Sequence, residues 1–428
     1  MYRFAPSPIG DMHIGNLRVA LFNYISAKQK GEKLLIRIED IDTQKNIAGK
    51  DQEILEILAL FGISWDQVAY QSHNLKFHQQ LATKLLMDKN AFTCFCTPQE
   101  LEADMQKAKD EKRDYQYSQK CTFLSDAEVM SNESDPFTVR IKRPTDDIDF
   151  KDLIKGDIHF DKKDIDSFLI LRADKTPTHD FASSIDDMLS DISTVIVSED
   201  HLPNAPKEIL IRKYLKYDRD INYAHLPTIL NEEGKEDDSL SVKWLLEEGF
   251  LPSAITNYLL CMGDETATEI FDIHDTIEWF NLDKFSKSPT KFNIHKLREI
   301  NIEHIKKSDL QELAKFIGYS SKEIANLAKV YTQEASTINE IKAKIDKIFA
   351  PKVAEEFQEE LKILKECAKD LPYCKEFDEF KDQLSQQSGL KGEKFFKTLN
   401  LLLIGSENGP NLSEIYPHIK NYLGEIIK

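Results

Sequence analysis

The chain has 428 residues, more than one compact core usually holds, so its length predicts about two to four domains. Hydrophobic residues make up 41% and charged residues 30%, which is the balance of a folded globular protein and not of a disordered one. The formal net charge is −18, which argues against non-specific coating of nucleic acid but allows binding of one structured RNA through a local basic face.

The sequence carries none of the usual signals for export or membrane insertion. No uninterrupted apolar run approaches the ~18 residues of a transmembrane helix. The first residues, Met1–Pro6, lack the apolar core of a signal peptide. Six cysteines are too few for a disulfide scaffold, so a reducing compartment is the simpler expectation. The sequence therefore predicts a cytoplasmic protein without a membrane partner.

The N-terminal region alternates strand and helix patterns. Tyr2–Ala5 is β-prone, Asn16–Ala27 has apolar side chains at helical spacing, and Lys33–Ile38 is typical of a buried parallel strand. A second amphipathic helix fits Asp51–Phe61. Because strand, loop, helix and strand follow in this order, we expect a βαβ unit with a right-handed crossover.

The pattern changes after about residue 90. A charged helix, Glu100–Lys112, precedes short strand candidates such as Phe137–Ile141, which indicates an insertion in the α/β domain. The α/β character returns at Val195–Val197, and after Asn231 the chain is predominantly helical. Within that part, Lys284–Lys307 holds seven Lys or Arg residues and forms a basic segment in an acidic protein.

The loop Ser7–Asn16 lies between the first strand and the first helix. Open α/β sheets bind ligands at this place, and helix N-termini favour anions. Gly10 and Gly15 allow close backbone approach, and His13 can donate to a phosphate. The sequences GxxxxGKS, GxxxxGKT and GxGxxG are all absent, which excludes a P-loop and a dinucleotide fingerprint. Taken alone, a His-Ile-Gly triplet is more often a helix cap than a phosphate site.

Several blocks along the chain share their order and separation with one known family. They are Arg3–Pro8, His13–Asn16, Arg37–Asp42, Pro177–Ala182, Asp186–Asp187, Val195–Leu202, Gly249–Tyr258 and Ser286–Phe292. Together they resemble a bacterial-type glutamyl-tRNA synthetase, a class I aminoacyl-tRNA ligase. His13-Ile14-Gly15-Asn16 is similar to the HIGH signature of that class, with asparagine in the last place. The resemblance covers nearly the whole chain.

The resemblance implies an enzyme of protein biosynthesis that ligates glutamate to tRNA through a glutamyl-adenylate, using ATP with Mg²⁺. Such catalysis rests on positioning and electrostatics, so no nucleophilic side chain is expected. The implied catalytic residues are His13, Gly15 and Asn16. The implied glutamate contacts are Arg3, Ala5, Ser7, Glu39, His179 and Ser183. The implied ATP contacts are Pro8, Gly10, His13, Gly15, Lys235 and Lys243.

Residue chemistry supports two of these roles and leaves each an ordinary alternative. The guanidinium fork of Arg3 suits a substrate carboxylate, although a surface salt bridge would also explain an arginine there. The carboxylate of Glu39 suits an ammonium group, although it would also serve as a charge at a strand end.

The chain departs from the family pattern within the implied glutamate pocket. His179 stands where the family has tyrosine, which keeps a polar donor and changes its reach. Val197 stands where the family has an arginine of the pocket, and Ser198 replaces the glycine that follows. Valine cannot pair with a carboxylate, and a buried unpaired charge costs on the order of several kcal/mol.

A third departure concerns the lysine-rich loop that holds ATP phosphates in this class. Either Lys235 matches the first lysine, or Ser239–Lys243 aligns with valine at the second, and both alignments lose the second lysine. Asp237 and Asp238 would repel triphosphate unless they bind Mg²⁺. Losing a charge-stabilising donor commonly costs ~10²–10³ in rate. The sequence therefore leaves open a slow ligase, with Lys235 or Lys243 as substitute, or a tRNA-binding paralogue that has lost activation.

A cysteine cluster lies within the insertion. Cys94 and Cys96 form a CxC pair ahead of Tyr117 and Cys121. Some members of the family bind zinc at this place through C-x-C…Y-x₃-C, which the chain reproduces, and Zn²⁺ in structural sites takes four ligands. Free thiols packed in the insertion are the alternative.

The implied architecture is an α/β Rossmann-like catalytic domain with an α+β insertion, followed by an all-α anticodon-binding domain. We predict residues 1–89 as the first half of the catalytic domain, 90–180 as the acceptor-end-binding insertion, 181–230 as the second half, 231–307 as the lysine-loop and tRNA-contact region, and 308–428 as the anticodon-binding domain. The implied partners are L-glutamate and a tRNA, of the glutamate or glutamine isoacceptor or both. A monomer is usual in the family. A glutamyl transferase acting on a tRNA base is disfavoured, because those family members lack the C-terminal domain.

Overall fold

The structure, a computed structural model, describes residues 1–132, 134–235, 239–263, 270–353 and 356–428. It divides into two compact units. The first takes Met1–Ser241, Leu260–Ala267 and Phe271–Phe292, and the second takes Val242–Leu259, Thr268–Ile270 and Asn293–Lys428. The five-segment division made from the sequence is finer than this and stays a prediction.

Strands and helices are numbered along the part of the chain that the structure describes. The strands are β1 (Tyr2–Phe4), β2 (Leu34–Ile38), β3 (Gln67–Tyr70), β4 (Ala91–Cys94), β5 (Thr138–Ile141), β6 (Ile148–Asp152), β7 (Gly156–Phe160), β8 (Leu169–Leu171), β9 (Thr194–Ser198), β10 (Asn222–Leu226), β11 (Ile229–Leu230) and β12 (Thr290–Lys291). The helices are α1 (Ile14–Lys30), α2 (Lys50–Leu60), α3 (Leu75–Met87), α4 (Pro98–Asp110), α5 (Asp126–Ser131), α6 (His179–Leu189), α7 (Ala205–Tyr214), α8 (Val242–Glu247), α9 (Pro252–Cys261), α10 (Thr276–Trp279), α11 (Ile294–Lys307), α12 (Leu310–Ile317), α13 (Lys322–Val330), α14 (Ile338–Phe349), α15 (Gln358–Asp370), α16 (Phe377–Ser388), α17 (Gly392–Ile404), α18 (Leu412–Ile419) and α19 (Leu423–Ile426).

A seven-stranded sheet forms the centre of the first unit. Its strand order is β3-β2-β1-β9-β10-β6-β7, and all neighbours are parallel except the β6–β7 hairpin. The chain winds outward in one direction from β1 to β3 and in the other from β9 to β10. The carboxyl end of β1 is therefore the switch point at which sheets of this kind bind ligands.

The central strands and the first helix follow from their sequences. Every residue of β1 and β2 is buried, as expected for parallel strands covered on both faces. Helix α1 begins after the N-cap His13 and ends at Gly31, whose φ of 62° is the left-handed conformation that glycine adopts at helix ends. The predicted helix and strands of the βαβ unit are confirmed, with α1 two residues longer at its start and three at its end.

The strands between residues 90 and 180 belong to two different sheets. Strands β4, β5 and β8 form a separate antiparallel sheet, and the α4 helix begins at the capping box of Thr97 and Glu100. The β6–β7 hairpin instead extends the main sheet beyond β10. Buried residues of β5, α6 and α7, such as Ile141, Phe181 and Ile211, share one hydrophobic cluster, which fixes α6 against the sheet region.

In its described part the second unit is helical: it contains α8, most of α9, and α11 to α19. Its helices are amphipathic, with buried isoleucine and leucine at spacings of three and four, as in Ile338, Ile341, Ile345 and Ile348 of α14. The predicted fold class, a Rossmann-like α/β part followed by a helical C-terminal part, is confirmed. Among the described helices, none combines the length and apolarity needed to cross a bilayer.

Candidate active site

The loop after β1 places His13 at the N-terminus of α1. The Nδ1 atom of His13 accepts a hydrogen bond from the backbone N–H of Gly15 at 3.0 Å. A Cβ at position 15 would lie 3.0 Å from the same Nδ1, so glycine lets the backbone approach the ring. Since Nδ1 accepts, the proton of the neutral ring belongs on Nε2, which is then a donor. His13 can therefore cap the helix through Nδ1 and donate to a phosphate through Nε2 at the same time.

A cavity of about 240 Å³ opens beside this helix start. His13, Gly15 and Asn16 line it from the start of α1, Ser198 and Asp200 line it from the end of β9 and the segment that follows, and the chain after β10 closes it at Pro227–Ile229. The loop is fixed from two sides. Backbone N–H groups of Ile47 and Ile14 donate to the carbonyls of Pro8 and Leu240, both at 2.9 Å. At Gly10 a Cβ would meet nothing within 4 Å.

Charged side chains from one face of α6 meet charged side chains of β1 and β2. His179, Ser183 and Asp187 follow each other at intervals of four along α6 and therefore share a face. Asp187 accepts from Nε and Nη2 of Arg3, both at 3.2 Å, and from Arg37. All of these groups except His179 are buried. Arg3 is thus held in a buried ion pair and is not a surface salt bridge.

Glu39 lies at the end of this network, where it pairs with His179. Its Oε2 is 2.8 Å from Nε2 of His179, and its Oε1 accepts from Ser183 at 2.8 Å and from Arg37 at 3.2 Å. Burial alone would raise the pKa of Glu39, but the hydrogen bond and charge of His179 and the charge of Arg37 hold it well below its usual range. Hydrogen bonds to Asp180 and Glu39 raise the pKa of His179 to about 10.

Glu39 and His179 separate two cavities. The smaller, about 50 Å³, is lined by Arg3, Ala5, Glu39, His179, Ser183, Val195, Val197, His201, Ala205, Glu208, Tyr223 and His225. Because the family resemblance implies that glutamate contacts several of these residues, it is called the amino-acid pocket below. The larger, about 240 Å³, includes Ser7, Lys45 and Arg172 and is called the outer cavity. The sequence-predicted residues Arg3, Ala5, Glu39, His179 and Ser183 therefore come together in one pocket, and Ser7 lies on the far side of the Glu39–His179 pair.

The two candidate lysines of the altered loop lie in different units. Lys235 is exposed, belongs to the first unit, and its Nζ is 2.8 Å from Glu233. Lys243 is exposed on α8 of the second unit. Asp237 and Asp238, which we expected to repel triphosphate unless they bind Mg²⁺, lie outside the described residues.

The four zinc-ligand candidates form one cluster. The Sγ atoms of Cys94, Cys96 and Cys121 lie within 4.8 Å of one another. The hydroxyl of Tyr117 is 3.4 Å from Cys94 Sγ and 3.5 Å from Cys96 Sγ. Tyr117 is buried, and the guanidinium of Arg140 lies 4.4 Å above its ring. Three sulfurs and one phenol oxygen facing a common point are a fitting donor set for a four-coordinate metal.

Sequence reasoning gave no site role to several residues that the structure places here. Arg37 and Asp187 belong to sequence blocks that match the family. Only the fold shows that their ion pairs connect Arg3 to Glu39. Lys50 Nζ lies 2.7 Å from Oδ1 of Asp11 in the loop after β1, and Arg172 lines the outer cavity. The sequence carries no signal for the Lys50–Asp11 pair, because the burial of Lys50 becomes visible only in the fold.

Comparison with known proteins identifies the family. Residues 1–299 match the model of the class I tRNA synthetases (E and Q), catalytic domain. Glutamate–tRNA ligase 2 of Sulfurimonas denitrificans is 54% identical and Glutamate–tRNA ligase 1 of Nitratiruptor sp. is 55% identical, each over the full length of both chains. A crystal structure of a glutamate tRNA ligase from Elizabethkingia meningosepticum, in complex with its amino acid, has a TM-score of 0.82 at 25% identity, covering 99% of this chain and 97% of that one.

The fold and the site define a class I tRNA synthetase, since the family model covers more than half of the chain. Within that class, full-length identity above 50% shows that the chain belongs to the glutamate–tRNA ligase family. The resemblance stated from the motifs is confirmed.

Proposed function

We propose that this chain ligates glutamate to tRNA in two steps, first forming glutamyl-adenylate from glutamate and ATP. The observation that carries the proposal is that consecutive residues, Val197 and Ser198, line a charged pocket around Arg3 and Glu39 and a cavity capped by His13, respectively. The full-length identity to named glutamate–tRNA ligases supports it. Because the substrate is a tRNA, we also place the protein in the cytoplasm.

In the first step a carboxylate oxygen of glutamate attacks the α-phosphorus of ATP, and pyrophosphate leaves with the electrons of the broken bond. The guanidinium of Arg3 binds a substrate carboxylate, and Glu39 receives the ammonium group in place of His179. The Nε2–H of His13, with the backbone of Gly15 and Asn16, stabilises charge on the phosphate as it develops. Pro8 and Gly10 shape the loop around the nucleotide.

Mg²⁺ neutralises phosphate charge when it is bound with ATP. Asp200 is the carboxylate among the described residues that line the cavity beside the start of α1, and it would hold the ion there. Such a donor set fits Mg²⁺, which keeps several waters and needs few protein ligands.

In the second step a ribose hydroxyl at the 3′ end of tRNA attacks the acyl carbon, and AMP leaves. We place this 3′ end in the outer cavity, because that cavity borders the amino-acid pocket at Glu39 and His179. Lys45 and Arg172 supply the positive charge that a terminal phosphate needs. Arg172 and Thr178 belong to the segment that we predicted to bind the acceptor end.

The experiment is ATP–pyrophosphate exchange with glutamate, supplying glutamate and glutamine tRNAs separately. Exchange that depends on one tRNA confirms activation and identifies the cognate isoacceptor. His13→Ala should lower the rate ~10²–10³-fold, while His159→Ala, an exposed histidine of β7, should not. Absence of exchange with either tRNA, despite measurable tRNA binding, would contradict the proposal in favour of a binding paralogue.

Parallel Lys235→Ala and Lys243→Ala variants test which lysine serves the ATP phosphates. The variant of the functional lysine should lose exchange without losing tRNA binding, and the other should keep both. Sedimentation of the wild type alone and with tRNA tests the proposed monomer.

We also propose that Cys94, Cys96, Tyr117 and Cys121 hold a structural Zn²⁺. Their facing sulfur and oxygen atoms support this, and so does the burial of the cluster against Phe92. When bound, the metal cross-links β4 to the chain around Cys121, a segment with little regular structure of its own.

Metal analysis of the purified protein tests the zinc proposal. We expect one equivalent of zinc, reduced in Cys121→Ser and unchanged in Cys374→Ser, which alters another buried thiol far along the chain. Equal metal content in both variants, or none in the wild type, would favour free thiols.

A further inference from the structure

The amino-acid pocket has a valine where the family resemblance places a carboxylate-binding arginine. Val197 pairs in register with His225 across β9 and β10 and packs against the hydrophobic cluster that contains Tyr223. Arg3 offers one guanidinium to the pocket, but free glutamate carries two carboxylates. The second carboxylate therefore needs another donor from the pocket wall, where His179 and the hydroxyl of Tyr223 are candidates.

A second buried arginine lies directly behind this part of the pocket. Arg212 is on α7, one turn after Glu208, and only 6% of it is exposed. Its Nη2 donates to the hydroxyl of Tyr223 at 2.5 Å, and that hydroxyl donates to Oε2 of Glu208 at 2.7 Å. Tyr223 and Glu208 both line the amino-acid pocket. Arg212 therefore acts on the pocket indirectly, by donating a hydrogen bond to the Tyr223 hydroxyl.

One donor of Arg212 has no hydrogen bond among the described residues. Nη1 is buried without an acceptor in range, and its nearest carboxylate oxygen, Oε2 of Glu208, is 3.9 Å away. Unsatisfied buried donors are costly and uncommon, so this one calls for an explanation. A small approach of Glu208 to Nη1 would satisfy both groups and release the Tyr223 hydroxyl proton from Glu208.

We propose that Tyr223 is a specificity-determining residue of the amino-acid pocket and that Arg212 is its positioning residue. With glutamate bound, the Tyr223 hydroxyl turns its proton from Glu208 to a substrate carboxylate, and Glu208 takes Nη1 of Arg212 instead. Arg212 keeps donating to the phenol oxygen in both arrangements, which strengthens the phenol as a donor. This inference rests on the proposed function, because it concerns the same glutamate pocket.

The electrostatics of the cluster agree with this assignment. Burial raises the pKa of Glu208, and nearby Asp187 adds to the effect, so the pocket wall resists a second negative charge unless Arg212 compensates it. Burial also raises the pKa of Tyr223 well above its ordinary value, which keeps the phenol protonated as a donor. His225, on the same strand, has its Nδ1 committed to Asp152 at 2.6 Å.

Tyr223→Phe removes only the hydroxyl and is the first test. In ATP–pyrophosphate exchange with tRNA, we expect KM for glutamate to rise about tenfold while KM for ATP stays within about twofold, as for the loss of one hydrogen bond to a charged group. The matched control is Tyr214→Phe, whose hydroxyl donates to the backbone of Arg143 at 2.8 Å outside the pocket. It should leave both constants unchanged.

Arg212→Lys and Arg212→Gln test the positioning role. The ammonium of lysine retains the positive charge and can donate to the phenol, so KM for glutamate should rise less in Arg212→Lys than in Arg212→Gln. If Arg212→Gln fails to fold, shown by its melting curve, Tyr223→Phe still decides the matter. The double variant Val197→Arg with Tyr223→Phe should recover glutamate KM, because it supplies a guanidinium from the neighbouring strand.

The outcomes separate this inference from the proposed function. A wild type without glutamate-dependent exchange overturns the proposed function itself. A wild type with exchange and a Tyr223→Phe variant with unchanged KM for glutamate overturn the inference alone. Equal rises in KM for glutamate and ATP would also overturn it, since they would mark a general disturbance of the sheet.

Discussion

At the scale of single residues, the Glu39–His179 pair has a measurable pH signature. The pKa of His179 is raised to about 10 from an ordinary 6.5, so the pair's contribution to stability is complete below pH 6.5 and is lost as pH rises through 10. The free energy of unfolding lost in His179→Gln should therefore be smaller at about pH 10 than at about pH 6. Because the ring is half exposed, solvent screening keeps the effect modest.

Ser183→Ala is the matched control, since it removes another partner of Glu39 without removing a titrating group. Its destabilisation should not vary over the same interval. Denaturant unfolding at several pH values measures both. A His179→Gln difference that stays constant from pH 6 to pH 10 would show that the ring is uncharged at Glu39.

Single residues also mark how far the sequence could lead. The family resemblance predicted that Arg3, Glu39, His179 and Ser183 lie in one pocket. A resemblance to a family implies which residues are neighbours in the fold, and composition does not. The same patterns could not show that Arg3 donates to Asp187 across 184 positions, since no local periodicity encodes such a pairing. Nor could they single out Arg212, which looks like a surface residue until the fold buries it.

At the scale of elements, helix ends in the second unit supply a matched pair of glycines. Gly405 ends α17 with a φ of +70°, and a Cβ there would lie 2.6 Å from the carbonyl oxygen of Lys347. Gly389 ends α16 with a φ of +68°, but a Cβ there would meet nothing within 4 Å. Both glycines cap a helix in the left-handed conformation, and only one of them also allows a close approach of backbone.

Gly389→Ala should therefore cost only the left-handed strain of a Cβ, about 1 to 2 kcal/mol. Gly405→Ala should cost clearly more, because α14 must also move away from the added methyl group. Calorimetric melting of the full chain measures both variants. Equal shifts in Tm would mean that the contact with Lys347 relaxes without cost.

Helices and strands with a strong apolar periodicity were predicted from the sequence. Strands whose place depends on hydrogen bonds to a distant strand were not. Helix α1 and strand β2 follow from apolar spacing and from the glycine that separates them. Strand β6 of the β6–β7 hairpin, Ile148–Asp152, has an alternating and partly exposed sequence, which gives little apolar signal. The hairpin's place at the sheet edge is set by hydrogen bonds to β10, about seventy residues further along the chain, such as His225 N–H to Asp152.

At the scale of the whole molecule, an acidic chain must bind an acidic tRNA. The net charge of −18 makes the basic segment Lys284–Lys307 the expected contact, and Lys284 is exposed. Lys284→Gln should lower tRNA affinity and reduce the slope of log affinity against log salt by about one unit. Lys33→Gln is the control, because that exposed lysine precedes β2 at the opposite end of the strand from the site. Filter binding at several salt concentrations measures both, and equal slopes would exclude the segment from the interface.

The position of β1 between β2 and β9 has a consequence for how the chain is made. β1 and β2 are complete once the first 38 residues have emerged, but the other edge of β1 is covered only after residue 194. At roughly 5 to 20 residues per second, translation leaves that edge open for roughly 8 to 30 s. Long-range parallel pairing is also slow once the chain is available. A buried apolar strand that waits this long is where a nascent chain of this protein would need a chaperone, and where slowing translation before residue 194 would most increase aggregation.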